Sequence, residues 1–323
     1  MKSQSLNKKN ITDLYYTQKL IRSVEERIIS EYPNQKIRCP VHLSIGQEAV
    51  AAGVNYALKR NDVVMSNHRA HAHYLSKSKN ISKLIYELYG KKTGCSGGKG
   101  GSMHLIDLQE NFYGSTPIVS STIPISAGIA FADKLLNKKN ISVIYFGDGA
   151  TETGNFHETL NFASLHNLKI LFICENNFYS VYSNLLKRQP KKREIIELPK
   201  SHKIDSYSFE GYQADNIFKK VKNIRENILK KNKPAFIEFK TYRFYEHCGV
   251  EEDDYLNYRK LKELNYWKRK CPIKYFENKY KNYHNEFKLS SKKINSLIDS
   301  IFIKAEKQPF PNLNDLKKNI YAK

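Results

Sequence analysis

Two side chains with oxygen ligands, Asp148 and Asn177, each follow a short apolar run, at residues 141–146 and 170–174. The runs are rich in Ile and Phe and bounded by turn formers, which is typical of buried parallel strands joined by a crossover helix. Because both strands of such a unit end at one edge of the sheet, we expect the two side chains to lie close together. A carboxylate, a carboxamide oxygen and a nearby backbone carbonyl form the oxygen-only ligand set that Mg²⁺ prefers.

The residues around Asp148 also suit a diphosphate. Gly147 and Gly149 leave the backbone bare enough for phosphate oxygens to approach. The amides that open the helix predicted over 153–166 would add donors and a favourable dipole. The alternative is that GDG and the later NN are ordinary turns, but their pairing across one crossover helix favours a metal and diphosphate site.

A second polar group, Asn67-His68-Arg69-Ala70-His71-Ala72-His73, follows a strand predicted over 62–66. The three histidines have neither the i,i+4 spacing of a helical metal pair nor an added carboxylate, so the pattern does not favour a metal site. Arg69 at the carboxyl end of the strand is the better candidate. Its guanidinium can bind a phosphate or a carboxylate through two parallel hydrogen bonds.

Two further stretches are candidates for anion binding. The glycine-rich stretch at 93–104 is not a nucleotide P-loop, because Lys99 is followed by Gly100 and the first position is Thr93. The alternative to a role in the site is that residues 93–104 form a flexible surface loop. The basic stretch at 187–193 is predicted to be a solvated loop.

Composition excludes some functional classes. The chain has 323 residues, 40% of them hydrophobic, and no apolar run long enough for a membrane span. Its net charge of +22 comes from lysines spread along the chain, which disfavours nucleic-acid binding and suits an acidic protein partner or an anionic substrate. Five scattered cysteines predict neither a zinc site nor disulfides. With no signal-peptide pattern, we expect a cytoplasmic protein.

The elements predicted around these residues are those of an α/β fold with a mostly parallel sheet and helices on both faces. We expect one domain over 1–323. It would include an N-terminal helix within 1–35, beginning near Thr12 or Asp13, and a helical C-terminal extension over 251–323.

Several ordered motifs carry a resemblance to a known family. They are HLSIGQEA at 42–49, NHRAH at 67–71, GCSGGKGGSMH at 94–104, PIVSSTIPISAGIA at 117–130, GDGA at 147–150, ENN at 175–177 and TYRFYEHCG at 241–249. From about residue 42 to 259 the chain resembles the alpha subunits of the first components of 2-oxo acid dehydrogenases, including pyruvate and acetoin dehydrogenases. The resemblance implies a thiamine diphosphate-binding fold.

The resemblance also implies residue roles. Mg²⁺ would be held by Asp148, Asn177 and the backbone oxygen of Tyr179. His42 and His247 would be catalytic, through hydrogen bonds to the substrate, the cofactor adduct or a phosphate. His68 replaces the tyrosine of the pyruvate enzymes, which bears on substrate choice. The implied cofactor-binding residues are His68, Arg69, Val119 (through its backbone), Asp148, Gly149, Ala150, Asn177, Tyr179 and His247.

In this family the glutamate that activates the cofactor belongs to a beta subunit, so the resemblance implies a chain that is inactive alone. We expect two alpha and two beta chains acting on a 2-oxo acid or an acyloin. An enamine would form, and its acyl group would pass to the disulfide of a lipoyl-bearing acyltransferase component. Two alternatives stay open. One is a non-oxidative thiamine diphosphate-dependent enzyme of sugar or secondary-metabolite synthesis, and the other is a basic binding module.

Overall fold

The computed structural model of the chain describes residues 6–318. Its strands are β1 (Val63–Ser66), β2 (Phe112–Ser115), β3 (Ser142–Gly147), β4 (Ile170–Asn176), β5 (Tyr179–Ser180), β6 (Ser183–Asn184), β7 (Asp205–Glu210) and β8 (Ala235–Lys240). Six of them form one sheet in the order β2-β1-β3-β4-β8-β7, and every neighbouring pair in it is parallel. The strands β5 and β6 form a separate antiparallel hairpin.

The helices are α1 (Lys8–Glu31), α2 (Glu48–Ala57), α3 (His71–Lys77), α4 (Ile81–Leu88), α5 (Thr122–Leu135), α6 (Gly154–Leu165), α7 (Leu185–Arg188), α8 (Glu197–Ser201), α9 (Ala214–Lys231), α10 (Leu261–Arg269), α11 (Pro272–Lys279), α12 (His284–Lys307) and α13 (Leu313–Leu316). The strands β3 and β4 are adjacent, and α6 lies between them in sequence. The strand–helix–strand unit predicted from the two apolar runs is therefore confirmed.

The two faces of the sheet bury separate hydrophobic clusters. Val143 and Tyr145 of β3 belong to one cluster, which also contains residues of α1, α2 and α9. Ile144 and Phe146, which alternate with them, belong to the other cluster, together with residues of α5 and α6. Because successive side chains of a strand point to opposite faces, helices cover both faces. The predicted α/β class is confirmed.

The two ends of the chain pack together. The Tyr15 hydroxyl on α1 donates to Glu277 on α11 at 2.8 Å. The prediction that α1 begins near Thr12 is wrong, because Asn7 caps it by accepting from the backbone N–H of Asn10. The single-domain assignment stays a prediction, and residues 1–5 and 319–323 of it lie outside the described part. No described helix has the length and apolar character needed to cross a membrane.

Candidate active site

The carboxyl ends of β3 and β4 border a cavity. Asp148 follows β3 in a 3-10 turn, and Asn177 follows β4. The lining includes all nine positions for which the resemblance implied cofactor contact, which are His68, Arg69, Val119, Asp148, Gly149, Ala150, Asn177, Tyr179 and His247. The structure thus brings these positions together from distant parts of the sequence, and their roles as ligands stay predictions.

The Asp148 carboxylate is buried against an arginine. Its Oδ2 accepts a hydrogen bond from Arg188 Nη2, and Nη1 of the same guanidinium pairs with Glu152. Burial raises the pKa of Asp148, and the positive charge of Arg188 opposes that shift. A buried carboxylate needs a cation or hydrogen-bond donors nearby, and in this structure Arg188 supplies them.

Arg188 ends α7, inside the basic stretch for which the sequence predicts a solvated loop. That prediction is wrong for Arg188, because 12% of its side chain is exposed and its Nε donates to the Ser183 carbonyl at 3.0 Å. The next residue, Gln189, is also buried, and its Nε2 lies 3.1 Å from Thr151 Oγ1. Composition reveals the charge of such a stretch but not the direction in which one side chain points.

The Asn177 carboxamide is held at both of its polar atoms. Its Nδ2 donates to Gln47 Oε1 at 3.1 Å, and its Oδ1 accepts from the Tyr179 backbone N–H at 3.2 Å. Gln47 precedes α2 and also lines the cavity. In the sequence Gln47 stands out only as part of the HLSIGQEA motif, because 130 positions separate it from Asn177.

Arg69 lines the cavity and hydrogen-bonds the backbone of two other segments. Its Nη1 donates to the Leu43 carbonyl at 2.7 Å, and its Nη2 donates to the His247 carbonyl at 3.1 Å. Burial, together with the charge of Arg243, lowers the pKa of Arg69 to about 10. Arg69 therefore remains a cation at neutral pH and brings fixed positive charge to the site.

Three imidazoles lie together beside Arg69. The ring of His42 is 4.7 Å from that of His68 and 5.2 Å from that of His247, although His42 itself is not part of the cavity lining. Burial, and then the charge of Arg69, lowers the pKa of His68 to about 4. The same two causes lower the pKa of His42 and of His247 well below the ordinary value. All three rings are therefore neutral at pH 7.

Neutral imidazoles can bind a metal ion or exchange protons. One ring nitrogen from each of His42, His68 and His247 lies within 4.8 Å of the other two. However, Arg69 Nη2 lies 3.3 Å from His247 Nδ1, and this positive charge opposes a second cation at the cluster. The arrangement therefore favours hydrogen bonding and proton transfer over metal binding.

The other histidines of the stretch 67–73, His71 and His73, have buried structural partners. His73 Nε2 lies 3.2 Å from Glu175, a cavity residue that the sequence did not single out beyond its place in ENN. His71 Nε2 lies 2.8 Å from Ser102 Oγ.

The donors at the carboxyl edge fit a Mg²⁺ ion with a diphosphate. Asp148 offers a carboxylate, Asn177 a carboxamide oxygen and Tyr179 a backbone carbonyl, which is the hard oxygen set that Mg²⁺ requires. At Gly147, an added Cβ would meet no described atom within 4 Å, so space remains beside the turn. Arg69 adds positive charge for the anion.

Comparison with known families matches residues 16–314 to the family described as "Dehydrogenase E1 component". The chain belongs to this family. A curated relative named "Pyruvate dehydrogenase E1 component subunit alpha", from Rickettsia bellii (strain RML369-C), is 32% identical over 308 residues, which cover 94% of this chain and 93% of the relative. The protein of the same name from Porphyra purpurea is 32% identical over 337 residues, with 98% and 94% covered. The mitochondrial subunit of that name from Schizosaccharomyces pombe (strain 972 / ATCC 24843) is 32% identical over 312 residues, with 95% and 75% covered.

Family membership confirms the resemblance that the motifs carried. As a dehydrogenase E1 component, the chain is part of a thiamine diphosphate-dependent oxidoreductase. The match also includes most of α1 and the C-terminal helices, which lie outside the motif-bearing region of 42–249.

Proposed function

We propose that the chain is the alpha subunit of a thiamine diphosphate-dependent 2-oxo acid dehydrogenase with a pyruvate-type substrate. The observation that carries the proposal is the convergence of all nine implied cofactor positions on one cavity of a dehydrogenase E1 component. The relatives named pyruvate dehydrogenase E1 component subunit alpha support the choice of substrate. When bound, thiamine diphosphate would supply the carbanion that attacks the oxo carbonyl and would take up the resulting electron pair.

In this proposal, Asp148, Asn177 and the backbone oxygen of Tyr179 hold Mg²⁺, and the backbone at Gly149 and Ala150 lies against the diphosphate. Two hydrogen bonds support the orientation of Asn177 toward a metal ion. The backbone of Val119, which lines the cavity, would hold the aminopyrimidine ring.

In this proposal the three imidazoles donate or accept hydrogen bonds and orient the substrate. A guanidinium has N–H donors and no acceptor, so in the contact between Arg69 Nη2 and His247 Nδ1 the imidazole nitrogen is the acceptor. His247 therefore carries its proton on Nε2. We therefore propose that His247 acts as a hydrogen-bond donor through Nε2. We also propose that His42, which lies beside His68 and His247 without lining the cavity, hydrogen-bonds the substrate or adduct in the complete site. His68 lines the cavity and contributes to substrate choice.

A beta subunit completes the site. The helices α5 and α6 pack on each other and expose apolar side chains, and Val119, which lines the cavity just before α5, is 48% exposed. A surface of this kind marks a protein interaction site. We propose that the beta subunit covers it and supplies the activating glutamate, in an assembly of two alpha and two beta chains. The exposed apolar residues are Ile118, Ile125, Leu135, Leu136, Phe162 and Leu165.

The acyl group would then pass to a lipoyl-bearing acyltransferase component, and the net charge of +22 suits an acidic partner. We also propose a cytoplasmic location, because all five cysteines are free, as in a reducing compartment.

The test is a substrate screen of the chain co-expressed with its beta subunit, in the presence of Mg²⁺ and thiamine diphosphate. We expect oxidation of a 2-oxo acid that depends on an artificial electron acceptor. Turnover that is independent of the acceptor would instead identify a non-oxidative enzyme. If calorimetry shows no binding of thiamine diphosphate to the two-subunit complex, the proposal is wrong.

A further inference from the structure

We propose that Gln47 is the positioning residue that orients the Asn177 carboxamide so that its oxygen, and not its nitrogen, faces the divalent cation. The inference deepens the proposed function and rests on its Mg²⁺ site. Gln47 and Asn177 are both buried and both line the cavity. They come from different parts of the chain and meet only in the folded protein.

The need for such a residue follows from the symmetry of a carboxamide. Rotation by 180° exchanges oxygen and nitrogen at nearly the same positions, and only the oxygen can bind Mg²⁺. For Asn177 the orientation is fixed by what each atom contacts. Gln47 Oε1 accepts from Nδ2 at 3.1 Å, and the Tyr179 N–H donates to Oδ1 at 3.2 Å. Both contacts would become unfavourable in the rotated form, with acceptor facing acceptor and donor facing donor.

The backbone that carries Gln47 is held in place. The Gln47 backbone N–H donates to the Ser44 carbonyl at 2.8 Å, and its carbonyl accepts from Val50 at the start of α2. The next residue, Glu48, is fully buried and binds Arg22 at 2.6 Å. A rigid support of this kind is what keeps a metal ligand in a productive orientation.

The test compares Gln47→Met with Gln47→Glu in the two-subunit complex with thiamine diphosphate present, using Mn²⁺ binding followed by electron paramagnetic resonance as the readout. Methionine removes the acceptor at similar volume, and we expect Mn²⁺ affinity to fall by roughly 10- to 100-fold, as for other residues that orient metal ligands. Glutamate keeps an acceptor for Asn177 Nδ2, so the Mn²⁺ affinity of Gln47→Glu should stay within about threefold of wild type. This change is smaller than the roughly 10- to 100-fold loss expected for Gln47→Met. A loss of tenfold or more in Gln47→Glu would overturn the proposal, as would unchanged affinity in Gln47→Met.

A double variant separates positioning from direct contact with the ligand. A carboxylate has no wrong orientation, so in the Asn177→Asp background Gln47→Met should change Mn²⁺ affinity by less than about threefold. The same loss in both backgrounds would mean that Gln47 acts on the ligand directly, and the proposal would be wrong. Gln18→Met on α1 is the control, because Gln18 is equally buried but donates to the Leu14 carbonyl instead. If the wild-type complex binds no Mn²⁺, the proposed function fails and not merely the role of Gln47.

Discussion

Replacing Arg188 with glutamine removes the guanidinium that neutralises Asp148 in this structure. The two side chains are 12% and 2% exposed, so water screens the pair only weakly. Removing one partner of a buried ion pair costs about 3–5 kcal/mol. Glutamine keeps an N–H donor, which favours the lower end of that range. With an unfolding entropy of about 2.1 cal/mol/K per residue, a chain of 323 residues shifts by roughly 1.5 °C per kcal/mol, so the Tm of the metal-free protein should fall by roughly 4–5 °C.

The same substitution should strengthen Mg²⁺ binding, because the ion no longer has to displace a guanidinium from the Asp148 carboxylate. Competition of this kind is a coupling between two ligands, and couplings typically change affinity by about 5- to 150-fold. Calorimetric titration of Mg²⁺ into the two-subunit complex at a fixed concentration of thiamine diphosphate measures the change. Lys187→Gln is the matched control, since Lys187 is exposed on the same helix and its loss removes the same charge.

Two results would refute this reasoning. Weaker Mg²⁺ binding by Arg188→Gln would show that Arg188 is itself a ligand of the bound diphosphate rather than a competitor of the metal ion. A fall in Tm no larger than that of Lys187→Gln would show that the buried pair does not stabilise the free chain.

Three further predictions concern other cavity residues. Asp148→Ala should abolish Mg²⁺-dependent binding of thiamine diphosphate in calorimetry without unfolding the chain, and normal binding would remove Asp148 from the metal site. Arg69→Ala should raise KM or weaken cofactor affinity by at least about tenfold, because a charge-assisted contact contributes about 1.5–3 kcal/mol; unchanged kinetics would exclude Arg69. For His68, the folded-state pKa of about 4 lies below the ordinary 6.5, so between these values only the unfolded chain takes up the proton. The contribution of His68 to the free energy of unfolding should therefore fall by about 3 kcal/mol as the pH drops from 6.5 to 4, in addition to the contributions of His42 and His247. Urea denaturation of His68→Gln should show a shallower decrease, and an unchanged slope would contradict the burial of His68.

The centre of the fold could be predicted from sequence, whereas its edges could not. The strands β3 and β4 are runs of Ile and Phe because both of their faces are covered by helices, and this leaves a clear signal. The strand β7 lies at the edge of the sheet, and its sequence DSYSFE alternates polar residues that are partly exposed. Without a continuous apolar run, β7 and the four-residue β2 could not be recognised.

The candidate site divides in the same way. Asp148 and Asn177 could be paired from sequence because one crossover helix separates them and the topology of such units is known. Arg188 and Gln47 could not be assigned, because their roles depend on where a side chain points after folding. Arg188 lies among lysines that are exposed, and only its contacts with the carboxylates distinguish it from them.

Arg188 and the proposed Mg²⁺ ion would each neutralise the buried Asp148 carboxylate. In the proposed Mg²⁺ site the carboxylate would bind the metal ion at the sheet edge, yet it is buried there, so its ionised form needs a cation nearby. Arg188 supplies one from a segment whose neighbours Lys187 and Lys191 are exposed. The Asp148 carboxylate therefore contributes both to the stability of the free chain and to the proposed metal site. Mg²⁺ with thiamine diphosphate should raise the Tm of the Arg188→Gln complex more than that of the wild-type complex. Equal rises at saturating ligand would mean that the guanidinium and the metal ion do not compete.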